Sequence, residues 1–187
     1  MSGHSKWAQI KRQKATTDAA RSKVFARFAR EIAMESKKVA GNISSPSLAA
    51  VIARARAVNV PKENIDRAVA KGLSKEADTV ESMYYELYGP AAVALVVFVL
   101  TDNRNRALQS IKTVLSKTPY TLGTPGCALW AFTRAPNGTL LPNAPLVAVS
   151  EEVETELQKL LEQFDDLEDV QTIYSNALGY ESTSDHE

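Results

Sequence analysis

The sequence predicts an α+β protein in two parts, a three-helix N-terminal domain over residues 1–75 and a domain of helices on an antiparallel sheet over residues 79–178. Three observations carry that reading. Apolar residues recur at helical spacing through the first part, and a continuous β-branched run, Ala91 to Leu100 (AAVALVVFVL), follows a Gly-Pro turn in the second. The third is charge: residues 1–75 hold 16 Lys+Arg against 5 Asp+Glu, or +11, whereas residues 76–187 hold 6 against 17, or −11, so the net charge of zero hides two electrostatic opposites.

Residues 1–15 lack apolar periodicity and read as a flexible basic arm with one aromatic, Trp7, among Lys6, Lys11, Arg12 and Lys14. Thr16 or Thr17 with Asp18 offers the first helix start, after which Val24, Phe25, Phe28 and Ile32 make one apolar stripe and leave Arg21, Lys23, Arg27 and Arg30 off it. Lys37 and Lys38 complement the helix dipole, and Gly41 ends the helix. Ser45-Pro46, a capping serine before a proline at the first helical position, begins a second helix carrying Leu48, Val51, Ile52 and Ala55 inward. A third starts near Pro61, buries Ile65 and Val69, stops at Gly72, and leaves Lys62, Arg67 and Lys71 for the surface.

From Thr79 the pattern changes. Met83 to Tyr88 and the β-branched run make a hairpin around Gly89-Pro90, with the second strand central and buried on both faces. Thr101-Asp102-Asn103 caps a helix from about Arg104 to Lys117, and Ala128 to Thr133 reads as a third strand after the Gly123-Pro125-Gly126 loop. Residues 134–149, with three prolines, form a connection or edge segment. Ser150 with Glu151, Glu152 and Glu154 starts a last helix, Val170 to Tyr174 makes a last strand, and residues 179–187 form a polar, disordered tail. The order β-β-α-β-α-β over one apolar sheet is ferredoxin-like.

No catalytic constellation is present. The chain lacks GxxxxGK[ST], GxGxxG, HExxH and GxSxG, and its two histidines, His4 and His186, sit near the ends, so neither an enzyme nor a metal site nor a cofactor is expected. Cys127 cannot form an internal disulfide and reads as a small core residue, which suits a reducing, cytoplasmic setting. No apolar run is long enough for a bilayer crossing and no leader pattern is seen.

The segregated cations point instead to a polyanion. Candidate nucleic-acid-binding residues are Lys6, Trp7, Lys11, Arg12, Lys14, Arg21, Lys23, Arg27, Arg30, Lys62, Arg67 and Lys71; Trp7 either stacks on an unpaired base or anchors the arm to the first helix. Arg104 and Arg106 at a helix start either add a second phosphate contact or pair with acidic neighbours.

GHSKWAQIKRQKA, DAARSKVFARFAREI, VPKENIDRAVAKG, YGP, TDNRNR, LGTPG and LEDVQTIYSNA occur in order along nearly the whole chain, and together they resemble the YebC-type family. That resemblance implies a helical first domain followed by α/β domains, no enzymatic activity, a cytoplasmic or mitochondrial location, and a role in gene expression. The role is either transcription regulation through promoter DNA or translation regulation through RNA-binding at the ribosome. Two departures stand out: the family's GPGG turn is Gly89-Pro90-Ala91-Ala92 here, and the third domain that the family inserts after the strand ending near Thr133 is replaced by a few residues. The expected function is a nucleic-acid-binding regulator, ribosome-associated in preference to DNA-binding, with ribosomal RNA or promoter DNA and ribosomal proteins as partners and a monomeric state. A reading from another class is a protein-interaction adaptor that uses the acidic half.

Overall fold

The computed structural model describes residues 18–74, 80–136 and 138–182, and it divides into two compact units. Among the described residues the helical unit comprises 18–74 and 80–81 with Leu100–Arg104, and the α/β unit comprises 82–99 and 105–182.

In the helical unit α1 (Asp18–Lys38), α2 (Pro46–Ala57) and α3 (Lys62–Gly72) enclose a core of Phe28, Ile32, Leu48, Val51, Ile52, Ala55, Val60, Ile65 and Ala68. The helical spacing of these residues places them on facing stripes, and burying each large one contributes about 1.5–3 kcal/mol. Gly41 adopts φ +75 and its N–H donates to Ser36 O at 2.8 Å, closing α1 where a left-handed residue was expected. Ser45 does occupy the N-cap of α2, but its side chain makes no capping bond and its Oγ lies 3.4 Å from Ser47 Oγ. The α1–α3 crossing is close because Gly72 has no side chain: a Cβ there would stand 2.4 Å from the Ala33 carbonyl oxygen. Ser36 Oγ donates to Val69 O at 2.8 Å across the same crossing.

The α/β unit holds a three-stranded sheet in the order β1-β2-β5, formed by β1 (Glu81–Tyr88), β2 (Ala94–Thr101) and β5 (Val170–Ser175). As its unbroken apolar run predicts, β2 is central; it pairs antiparallel with β5, Leu95 facing Ser175 and Val97 facing Ile173. Leu95, Val97 and Val99 point to one face, where α4 (Arg104–Leu115) supplies Ala107, Ile111 and Leu115 and α5 (Glu151–Asp165) supplies Leu157, Leu160, Leu161 and Phe164. Ser150 caps α5, accepting from Val153 N at 3.5 Å.

The opposite face differs from expectation. Residues 128–133 do not add a strand to this sheet: Leu129–Ala131 is a 3₁₀ turn, and β3 (Phe132–Arg134) pairs antiparallel with β4 (Leu140–Pro142) as a separate hairpin. That hairpin lays Ala131, Phe132 and Leu140 with Ala128 over Ala94, Val96 and Tyr174. The cause lies in β1. Glu86 is buried, and its carboxylate accepts three backbone N–H groups, Gly126 at 2.7 Å and Ala128 and Leu129 at 2.8 Å, so these residues are tied to a side chain and not to a neighbouring strand.

The expected disorder of residues 179–187 is corrected for 179–182; residues 183–187 lie outside the described residues. Tyr180 is 1% exposed within the α/β core, its hydroxyl bonded to Glu154 and Gln158, and Ser182 bridges to Tyr174. A buried aromatic ring with both polar partners satisfied outweighs the entropy of a short terminal segment.

Candidate nucleic-acid interface

Five of the predicted cation and stacking positions, Lys6, Trp7, Lys11, Arg12 and Lys14, lie outside the described residues. The others are distributed over α1, α3 and the start of α4.

On α1, Arg21 is exposed and Lys23 and Arg30 are half-buried. Arg27 departs from the expected surface position: at 7% exposure it is buried beside Phe28, one turn along from Val24. The apolar stripe of α1 is wider than the four residues that define it, and position 27 falls within its edge. On α3, Lys62, Arg67 and Lys71 are exposed; residues 67 and 71 stand one turn apart and project from one face, with Asn64 three residues before Arg67 on the same face.

That face meets α1 at a groove of about 370 Å³. Arg30, Arg67 and Lys71 line it together with Phe25, Ala29 and Asn64, and no carboxylate does so among the described residues. The groove exists because α1 presents small residues at 26, 29 and 33 where α3 approaches, a helix-spaced pattern visible in the sequence but not used in choosing the site residues. Arg21, Lys23 and Lys62 are not part of the lining. Glu31, which follows Arg30, turns the other way and pairs with Arg54 of α2, whose guanidinium also lies 6.0 Å from the Phe28 ring centre. The acid nearest Arg30 in sequence is thereby taken up by Arg54 and does not line the groove.

Arg104 and Arg106 follow the acid-pairing alternative. Arg104 pairs with Glu81, and Arg106 forms a two-point bond to Asp169, Nε to Oδ2 at 3.1 Å and an η nitrogen to Oδ1 at 2.8 Å. Asp169 is itself buried, so this fork holds the start of α4 to the segment before β5. Both charges are matched by carboxylates, the second of the two alternatives that the sequence leaves open.

Cys127 is half-buried, in the turn just before the 3₁₀ segment Leu129–Ala131. Burial first, and then the charge of Glu86, push its thiol above the ordinary value, which favours the protonated form. Its carbonyl accepts from Tyr88 Oη at 2.6 Å and from Trp130 Nε1 at 2.8 Å. The site reading did not include Trp130, which is 68% exposed. Among the described residues no group of three His, Cys, Asp or Glu is placed to hold a metal ion, and no helix is long and apolar enough to cross a membrane.

Residues 5–75 match the model of the TACO1/YebC protein N-terminal domain, and residues 80–140 match that of the TACO1/YebC second and third domain. A probable transcriptional regulatory protein of Syntrophobacter fumaroxidans is 42% identical over 159 residues, which cover 84% of this chain and 63% of that protein. Another of the same description from Fervidobacterium nodosum is 43% identical over 136 residues, covering 72% and 54%. The chain thus spans 63% and 54% of these relatives' lengths. Among solved structures, a conserved hypothetical protein of Aquifex aeolicus superposes with a TM-score of 0.77 at 26% identity, covering 87% of this chain and 92% of that one. Matched in sequence across both of its units and in fold, the chain belongs to the TACO1/YebC family.

Proposed function

We propose that the chain is a non-enzymatic, nucleic-acid-binding regulator of gene expression whose helical unit grips the phosphate backbone of RNA at the ribosome. The observation that carries this reading is the convergence of Arg30, Arg67 and Lys71 on one groove with no lining carboxylate among the described residues, inside a region of formal charge +11. A concentrated cationic face raises local phosphate concentration and releases counterions on binding. Irregular RNA suits it better than a duplex major groove, because unpaired bases are free to stack beside a cationic groove while its cations hold the backbone. The second reading, a DNA-binding transcriptional regulator in the cytoplasm, draws support from the relatives named probable transcriptional regulatory proteins.

The test is a salt titration of binding to ribosomal RNA and to duplex DNA by fluorescence anisotropy. With about 6 phosphates neutralised, the log–log slope is on the order of −4 to −5. A slope near zero on both refutes the reading. Ribosome co-sedimentation set against promoter footprinting then decides between RNA and DNA.

A further inference from the structure

The α1–α3 groove has two chemistries side by side, and bare phosphate binding uses only one. Part of its lining is apolar, Phe25 and small alanines such as Ala29, with Asn64 beside them, and part is cationic, Arg30, Arg67 and Lys71. A cation cluster serving phosphates alone needs no recess, and an apolar recess for a protein side chain gains nothing from three cations. A volume of about 370 Å³ falls within the ~300–1,000 Å³ of pockets that enclose a ligand.

We infer that this groove takes one unpaired nucleotide of a single-stranded nucleic acid, its base between α1 and α3 and its flanking phosphates on Arg30, Arg67 and Lys71. The inference rests on the phosphate-binding reading above and narrows it to single strands. Phe25 offers a ring against which a base can lie, and the Asn64 amide carries both donors and an acceptor, which matches the mixed edge of any base. The small alanines let a flat ring approach the helix backbones closely. A base within a duplex is already stacked and paired, and extracting it costs a few kcal/mol, so the groove discriminates by strandedness.

The experiment uses the full chain with two probes, a short fluorescein-labelled oligouridylate and a blunt duplex of the same length. Ala29→Phe fills the groove without changing charge; it is expected to weaken single-strand binding about tenfold or more and duplex binding far less. Arg67→Gln with Lys71→Gln is expected to weaken both probes and to reduce each slope by about 2. Equal weakening of both probes by Ala29→Phe, or no weakening of either, overturns the groove assignment. Should Ala29→Phe unfold the helical unit, crosslinking of the unsubstituted chain to a 4-thiouridine strand decides: adducts within residues 22–33 and 64–71 support the assignment, and adducts wholly outside them overturn it. Absence of salt-dependent binding to either probe by the unsubstituted chain refutes instead the phosphate-binding reading on which the inference stands.

Discussion

Replacing Ala91 and Ala92 by glycine is expected to stabilise the α/β unit, although glycine in a turn ordinarily loosens a protein. Ala91 adopts φ 52, ψ 31 and Ala92 φ 58, both in the left-handed region, within the 3₁₀ turn Pro90–Ala92 that joins β1 to β2. An L-residue there costs roughly 1–2 kcal/mol because Cβ crowds the following carbonyl. Alanine recovers only about 0.4–1 kcal/mol of that by restricting the unfolded chain. Both methyls are exposed, so their removal sacrifices no core packing. The turn is otherwise well bonded, Gly89 N donating to Val93 O at 2.9 Å and Val93 N to Pro90 O at 3.1 Å, so it has no easy way to relax. The difference favours glycine by about 0.5–1 kcal/mol at each position. With a urea slope of about 1–3 kcal/mol/M, the double variant should move the unfolding midpoint, followed by far-ultraviolet circular dichroism, upward by roughly 0.5–1 M. Ala92→Val, which places a β-branched side chain in the same region, should move it down. A double glycine variant with an unchanged or lower midpoint would refute the strain argument, because entropy would then outweigh sterics.

Other outcomes follow from the polar anchors. Glu86→Gln keeps size but turns an amide N–H₂ toward backbone donors; it should cost about 2–4 kcal/mol in urea unfolding and speed hydrogen exchange at the Ala128 and Leu129 amides. The Tyr180 hydroxyl is pushed up to about 12, by burial first and by its bond to Glu154 next. Its neutral form is therefore favoured in the folded state, so stability from this group is complete below the ordinary value of 10.0 and is lost as pH rises from there toward 12; Tyr180→Phe should flatten part of that alkaline decline in thermal melts. Arg106→Gln should leave the salt slope of RNA binding unchanged while lowering thermal stability, since its charge is spent on Asp169.

How much of this the sequence announced depends on whether the deciding interaction was local. The three helices and central β2 were legible because their signals, a 3.6-residue stripe and an unbroken β-branched run, are properties of neighbouring residues. Residues 128–133 misled because their apolar run does carry a strand signal, and the opposing influence, the Glu86 carboxylate, lies some 40 residues earlier in the chain. Tyr180 misled similarly: a polar terminal segment gives no warning that one ring will be received by Glu154 and Gln158. For the candidate interface, charge segregation identified which unit carries the cations. It could not say which of them converge, and Arg27, read as a surface cation, is buried among tertiary neighbours. The family resemblance was legible from motifs spread along both units.

Trp130 carries a practical consequence. Its ring is 68% exposed, yet its indole N–H is held at 2.9 Å by Tyr88 Oη and at 2.8 Å by Cys127 O, and Asn143 Nδ2 donates to its carbonyl at 3.1 Å. Wet surroundings with restrained torsions give a fluorophore whose emission lies in the aqueous range while its depolarisation follows the body to which it is fixed. With Trp7 replaced by phenylalanine, this residue would serve as a built-in optical gauge of how fast the α/β unit tumbles, free or in complex, without any attached dye.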